Sequence, residues 1–211
     1  MLKKGYEYAF VSNSDNLGAT LNLDILGWFT VQECPFLMEV ANRTTNDRKG
    51  GHLAQLSTGR LTLRELAQCP PDELSSFQDI KTFRYFNTNT LWINLKKLRA
   101  TLSEKDSFLD LPLIVNRKTV NPSADDSTPV FHLETAMGSA ISLFSKAAVV
   151  RVPRERFIPV KTTNDLLGLW SDLYELGEDY SIKLAPGHKA GDFEVNLDPR
   201  YFGRIDQLKA H

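Results

Sequence analysis

The sequence predicts an α/β domain: a mixed or mostly parallel sheet flanked by helices. Three observations carry that expectation. Short apolar runs of strand type alternate with helix-spaced stretches along most of the 211 residues. The strand-type runs end repeatedly in turns rich in Asn, Asp and Thr. The chain also contains no internal repeat and no low-complexity linker that would divide it into an array.

In chain order, residues 6–12 (YEYAFVS) read as a buried strand that exits into Asn13-Ser14-Asp15-Asn16. A helical pattern then runs from Leu17, with Leu21, Ile25, Trp28 and Phe29 on one face. Residues 36–40 form a second strand. Residues 52–66 read as a hairpin turning at Ser57-Thr58-Gly59, and Pro70-Pro71 breaks the chain. A strand over 82–86 leads into an Asn87-Thr88-Asn89-Thr90 loop, and a helix then carries Leu91, Leu95, Leu98 and Leu102. Strands at 111–115 and 129–133 flank a polar loop over 120–128. Thr135 opens a helix with Met137, Ile141 and Phe144 inward, and residues 147–152 are a strand. Thr162-x-x-Asp165 has the form of a helix start, with Leu166, Leu169, Trp170 and Leu173 lining the helix it opens. Beyond Gly177 the tail is Gly- and Pro-rich, with extended pieces such as residues 193–197.

Bulk properties exclude several functions. With 25 basic and 26 acidic residues the formal net charge is -1, so no global basic field attracts nucleic acid. The chain is 42% hydrophobic and 24% charged, an ordinary globular balance, and no apolar run approaches the roughly 20 residues of a membrane span. The two cysteines, Cys34 and Cys69, have no metal-ligand spacing and suit a reducing cytoplasm. Met1-Leu2-Lys3-Lys4 is not followed by the apolar stretch of a signal peptide, so the protein reads as soluble and not exported.

Ligands of α/β sheets sit at the carboxyl ends of strands, so the polar residues there are the candidates. Asn13, Ser14 and Asp15 present hard oxygen donors that suit Mg²⁺ carrying phosphates. Helix capping by Asp15 or Asn16 is compatible with that role. Asn87 and Asn89 can read sugar hydroxyls or satisfy a loop backbone. Lys161 stands at a helix start, where its charge and free backbone donors make a phosphate site, unless it is a plain surface lysine. No Ser-His-Asp or Cys-His pairing, GxGxxG or Walker loop is readable, and His52, His132, His188 and His211 receive no role.

Seven separated blocks occur in order: VSNSDNLGA, FLMEVANRTTNDRKGGHL, LRELAQCP, FRYFNTNTLWINL, LIVNRKTV, HLETAMGSAISLF and VPRERFIPVKTTNDLL. Together they resemble the UDP-glucose pyrophosphorylase family, from about Tyr6 to Tyr174. The resemblance implies a partial nucleotidyltransferase fold, Rossmann-like and of GT-A type. It implies residues 1–176 as the C-terminal portion of the catalytic domain and 177–211 as a tail completing or leaving it. The reaction implied is attack by glucose 1-phosphate on the α-phosphorus of UTP, giving UDP-glucose and pyrophosphate with Mg²⁺ as cofactor.

By this resemblance Asp15 binds metal and substrate, Asn13 and Ser14 contact substrate, Asn89 contacts the sugar, and Lys161 neutralises phosphate charge. Glu39, Gly50 and Gly51 line the sugar pocket, glycines letting backbone approach a hexose. Lys118 and Glu134 match characteristic positions without a role beyond structure. The family's glycine-rich nucleotide loop (GGxGTxxGxxxPK), its Gly-His-Gly segment and its C-terminal β-helix have no counterpart in the sequence. The expectation is therefore the sugar-phosphate and metal half of the site, with self-association through an incomplete sheet. An inactive sugar-nucleotide-binding module and an N-acetylhexosamine-phosphate uridylyltransferase are the alternatives.

Overall fold

A computed structural model describes every residue except 45, 46, 49, 123, 125, 190–192 and 211. Part of the expected 120–128 loop and His211 therefore lie outside the described residues. The chain divides into two compact units, one of Met1–Val11 with Leu23–Arg151, the other of Ser12–Asn22 with Val152–His211.

The first unit is organised by a long strand, β5 (Tyr85–Asn94). Antiparallel to one edge of it runs β2 (Phe36–Asn42), which pairs in parallel with β8 (Ala148–Arg151). The other edge of β5 takes two antiparallel partners, β1 (Tyr8–Val11) near its C-terminal end and β3 (His52–Gln55) at Phe86. The hairpin partner of β3 is β4 (Leu61–Arg64), and Gly59 in their turn takes φ 81, which glycine adopts without steric cost. The sheet is thus mixed, as expected, with one parallel ladder among antiparallel ones.

Alternation along β2 divides the core. Phe36, Met38 and Val40 pack with Leu53, Leu63, Leu91, Ile141 and Phe144. Leu37 joins Trp92, Cys34 and Phe29, the last from α1 (Leu23–Val31). This is the period-2 geometry of a strand buried on both faces. A separate antiparallel ribbon, β6 (Leu113–Thr119) with β7 (Pro129–Thr135), exposes Leu113, Val115, Phe131 and Leu133.

Several expectations are corrected. The helix expected from Leu17 begins at Leu23, and Leu21 and Trp28 are exposed. Asn16 and Leu17 are instead hydrogen-bonded to residues 156 and 158. The Asn87–Thr90 stretch is no loop but part of β5, and Leu91 and Trp92 lie in the strand rather than in a helix. The following helix, α3 (Leu95–Glu104), starts where Asn94 caps it by accepting from the N–H groups of Lys96 and Lys97. Asn-rich sequence mimicked a turn there, while β-branched and aromatic neighbours decided for a strand. The helix expected after Thr135 is a 3₁₀ helix, Met137–Leu143, with Met137 exposed. Pro71–Glu73 and α2 (Leu74–Phe77) follow the Pro-Pro break.

In the second unit, Thr162 and Asp165 form the expected capping box of α4 (Thr163–Trp170), though Trp170 is exposed rather than lining a core. The tail holds more regular structure than expected: a hairpin of β9 (Tyr174–Leu176) and β10 (Ile182–Leu184), then α5 (Pro199–Phe202) and α6 (Ile205–Lys209).

Candidate functional site

In the second unit the loop that follows β1 lies along the segment before α4. Asn16 bridges to Pro159, the Leu17 N–H donates to the Ile158 carbonyl at 3.0 Å, and the Val160 N–H donates to the Asp15 carbonyl at 2.9 Å. These contacts bring Asp15 and Lys161 together, with the Lys161 Nζ 3.8 Å from Asp15 Oδ2. Lys161 is 61% exposed and Asp15 32%. Such a pair is worth about 0–1 kcal/mol to stability, so it is not there to hold the fold. Asp15 Oδ1 is buried without a hydrogen-bond partner among the described residues. A buried carboxylate oxygen left unpaired is costly unless a ligand satisfies it. Asn13 accepts the Asn16 N–H at its backbone carbonyl, and Ser14 is exposed.

Lys161 does not offer a free helix terminus. Asp165 Oδ2 accepts the Lys161 N–H at 3.0 Å, the Thr162 N–H at 2.8 Å and the Thr162 hydroxyl at 2.8 Å. Those backbone donors are already used, which corrects the expectation that they would face a phosphate. What remains for an anion is the ammonium, and the helix start fixes the backbone from which it extends.

The first unit holds Glu39 and Asn89, at one irregularity of the sheet. Between Glu39 and Val40 the β2–β5 register shifts, with Glu39 opposite Thr90 and Val40 opposite Asn87. The extra residues are Thr88 and Asn89, and Asn89 takes φ 56. Asparagine is among the few residues that enter the left-handed region readily, and bulges of this kind re-aim side chains. Asn87, Thr88 and Thr90 are buried while Asn89 is half-buried. The Thr88 hydroxyl donates to the Glu39 carbonyl at 2.8 Å, and the Asn89 N–H to Asn87 Oδ1 at 2.9 Å. Glu39 itself is 0% exposed, its Oε1 accepting from Trp92 Nε1 at 2.9 Å.

Gly50 has a packing reason to be glycine, since a Cβ there would come within 2.0 Å of the Phe86 ring, whereas one at Gly51 would meet only the Glu65 carboxylate, at 2.5 Å, which can swing aside. Lys118 and Glu134 lie on the exposed β6–β7 ribbon, where Asn116 donates to Glu134. His52 is fully buried between Phe77 and Phe83, with centroids 4.5 and 4.4 Å away and neither ring nitrogen hydrogen-bonded. Burial first, then the guanidinium groups of Arg43 and Arg64, push its imidazole from 6.5 down to about 4.

Sequence reasoning missed Trp92, assigned to a helix, and Asn16, taken for a helix cap. The signal for Trp92 was its alternation with Thr90 on one face of a strand, opposite Leu37 and Glu39. For Asn16 no local signal exists, because its partners are far along the chain.

The sequence pattern described as UTP--glucose-1-phosphate uridylyltransferase matches residues 1–211. Among curated relatives so described, one from Encephalitozoon cuniculi is 48% identical over 82% of this chain and 34% of its own. One from Hordeum vulgare is 41% identical over 95% of this chain and 41% of its own. The chain therefore spans well under half the length of the curated relatives it matches. A solved UDP-glucose phosphorylase from Trypanosoma brucei superposes with a TM-score of 0.87 at 48% identity, over 99% of this chain and 45% of that one. A variant UDP-glucose pyrophosphorylase from Leishmania major, solved in complex with UDP-glucose, gives 0.85 at 43% identity, over 99% of this chain and 46% of that one. The chain belongs to the UTP–glucose-1-phosphate uridylyltransferase family.

Proposed function

We propose that the chain supplies the sugar-phosphate- and metal-binding part of an enzyme that transfers uridylyl from UTP to glucose 1-phosphate. In this reading an oxygen of glucose 1-phosphate attacks the α-phosphorus of UTP, the bond to the β-phosphate oxygen breaks, and pyrophosphate leaves as UDP-glucose forms. The observation that carries it is the pairing of the exposed Lys161 ammonium with the Asp15 carboxylate, 3.8 Å apart, in a chain of this family. No nucleophile is required: catalysis is positioning and charge neutralisation.

Among the described residues no three His, Cys, Asp or Glu side chains converge, so an all-protein metal cage is not on offer. Asp15 fits the other mode, in which Mg²⁺ is held by one or two carboxylates plus substrate phosphates, and its unpaired Oδ1 is the oxygen for it. Mg²⁺ bound there neutralises charge on the phosphate oxygens. Lys161 meets the phosphate charge with its ammonium, and Asn13 and Ser14 lie beside Asp15 in sequence for further contacts to substrate. Asn89 addresses sugar hydroxyls in this reading, and Gly50 and Gly51 line the pocket, while Glu39, wholly buried and bonded to Trp92, backs it from within the sheet rather than touching the sugar.

The same proposal takes residues 1–176 as part of the catalytic domain, with the 177–211 tail completing it. Tyr174 against Phe193, and the Leu197 N–H donating to Asn164 at 3.1 Å, support completion. A cytoplasmic location is supported by free Cys34 and Cys69. No helix among the described residues is long and apolar enough to cross a membrane. The near-zero net charge speaks against nucleic acid as a partner. Self-association through the sheet has one support, that β8 pairs with β2 alone among the described residues. Pyrophosphate release from UTP, measured on the intact protein with and without glucose 1-phosphate and Mg²⁺, tests the function. Dependence on all three is expected, and release without glucose 1-phosphate contradicts uridylyl transfer to the sugar.

A further inference from the structure

Asn16 has no part in the chemistry above, yet its side chain makes three hydrogen bonds in the second unit's site. Its exposure is 5%, and both ends of its amide are used. Oδ1 accepts the Gly18 N–H at 3.2 Å and the Ile158 N–H at 2.9 Å, while Nδ2 donates to the Arg156 carbonyl at 3.2 Å. One side chain thus closes its own loop and bonds both Arg156 and Ile158, which lie more than a hundred residues away in sequence. Gly18 permits the approach. A Cβ there would meet the Glu155 carbonyl oxygen at 2.4 Å and the Arg156 carbonyl carbon at 2.6 Å, both backbone atoms that cannot rotate aside. Asp15 is the neighbour of Asn16 on one strand of this junction. Lys161 follows two residues after Pro159, the residue Asn16 bridges on the other.

We propose that Asn16 is a positioning residue: it clamps the 13–18 loop to the 155–160 segment and thereby holds the Asp15 carboxylate and the Lys161 ammonium in one reacting geometry. The inference rests on the functional reading above. Both ends of the Asn16 amide are committed to backbone groups, so its effect on turnover runs through the pair. A loosely held pair loses rate rather than affinity, because misplacement by an ångström degrades the transition state more than the ground state.

The test is a double-variant cycle on the intact protein. It measures kcat, KM for glucose 1-phosphate at saturating UTP, and melting temperature for Asn16→Ala, Asn16→Asp, Lys161→Ala and the two combinations. Asn16→Ala is expected to lower kcat about 10- to 100-fold, the usual range for a group that orients a catalytic one, with KM changed much less. Asn16→Asp keeps an acceptor for Gly18 and Ile158 but sets a carboxylate oxygen against the Arg156 carbonyl, so a loss comparable to that of Asn16→Ala is expected. In the Lys161→Ala background either Asn16 change is expected to cost clearly less than in the parent, because only the placement of Asp15 is left to lose. A residue that merely stabilised the fold would instead lower kcat by the same factor in both backgrounds, which overturns the proposal, as does an unchanged kcat in Asn16→Ala. If Asn16→Ala does not fold, the Asn16→Asp cycle decides by the same criterion. Lys161→Ala and Asp15→Ala separate the two levels. Lost turnover in both, with Asn16 variants unaffected, removes the clamp alone. Full turnover in both removes the functional reading, and the clamp with it.

Discussion

The two units carry their candidate residues in opposite ways. In the first, Glu39 is wholly buried in the middle of a sheet, bonded to Trp92, and set beside a bulge at which half-buried Asn89 takes φ 56. In the second, Asp15 and Lys161 are charged and partly open to solvent, and backbone contacts between two chain segments hold them. The first arrangement is part of the core and contributes to stability. The second contributes almost nothing to stability, since an exposed pair is screened. Shape recognition of a neutral sugar suits rigid, desolvated groups, whereas neutralising phosphate charge suits an accessible ammonium and carboxylate. Substitutions should therefore separate cleanly into those that cost rate and those that cost folding.

The largest expected effect is on rate. Asp15→Ala is expected to abolish Mg²⁺-dependent turnover, and Lys161→Ala to lower kcat by about 100-fold or more, the scale of one lost charge stabiliser. Both should melt within about 0.5 kcal/mol of the parent, and a large loss of stability in either would break the comparison. Next comes acid sensitivity, expected in the first unit. The imidazole of His52 is held near 4 in the folded state against 6.5 for a free one. The unfolded chain binds the extra proton between those values, so stability is complete above pH 6.5 and falls as pH drops towards 4. The loss is bounded at about 3 kcal/mol, and urea melts of His52→Phe should be flatter over that window than those of the parent. Arg43 and Arg64 raise the cost of that proton.

A somewhat smaller stability effect is expected for Trp92→Phe, which keeps the ring but leaves a carboxylate oxygen of Glu39 without its indole donor. The cost is about 1–3 kcal/mol, read from chemical denaturation. Smallest of all is Asn89→Gly, because glycine tolerates φ 56 at least as well as asparagine. It should fold normally and raise KM for glucose 1-phosphate, whereas Asn89→Ala adds about 1–2 kcal/mol of backbone strain to the same defect. Equal stabilities for the Gly and Ala variants would show that the bulge does not depend on this residue.

How much of this could be read from the residues differs between the units for a physical reason. β2, the β3–β4 hairpin, β8 and the α4 cap announce themselves locally, through apolar runs and the Thr162-x-x-Asp165 spacing, and the structure has them near the expected residues, whereas β5 runs over 85–94 rather than 82–86. The β5 bulge was hidden because Asn87-Thr88-Asn89-Thr90 has turn composition, and only pairing with β2 on one side makes it a strand. The helix after Asp15 started late for a related reason. Bonds from residues 16 and 17 to residues 156 and 158 compete with helical ones, and nothing within a local window reveals them. Asp15 and Lys161 were readable as strand-end and helix-start residues, but their proximity was not, since it depends on that long-range junction.

Calorimetric titration with UDP-glucose, with and without Mg²⁺, distinguishes the parent, Asp15→Ala and Asn89→Gly. Saturable binding that Mg²⁺ tightens is expected in the parent. Asp15→Ala is expected to lose the Mg²⁺ effect alone, and Asn89→Gly to bind more weakly with the Mg²⁺ effect retained. Absence of binding in the parent, or an identical Mg²⁺ effect in Asp15→Ala, would contradict the assignment of metal and phosphate to the second unit and sugar to the first.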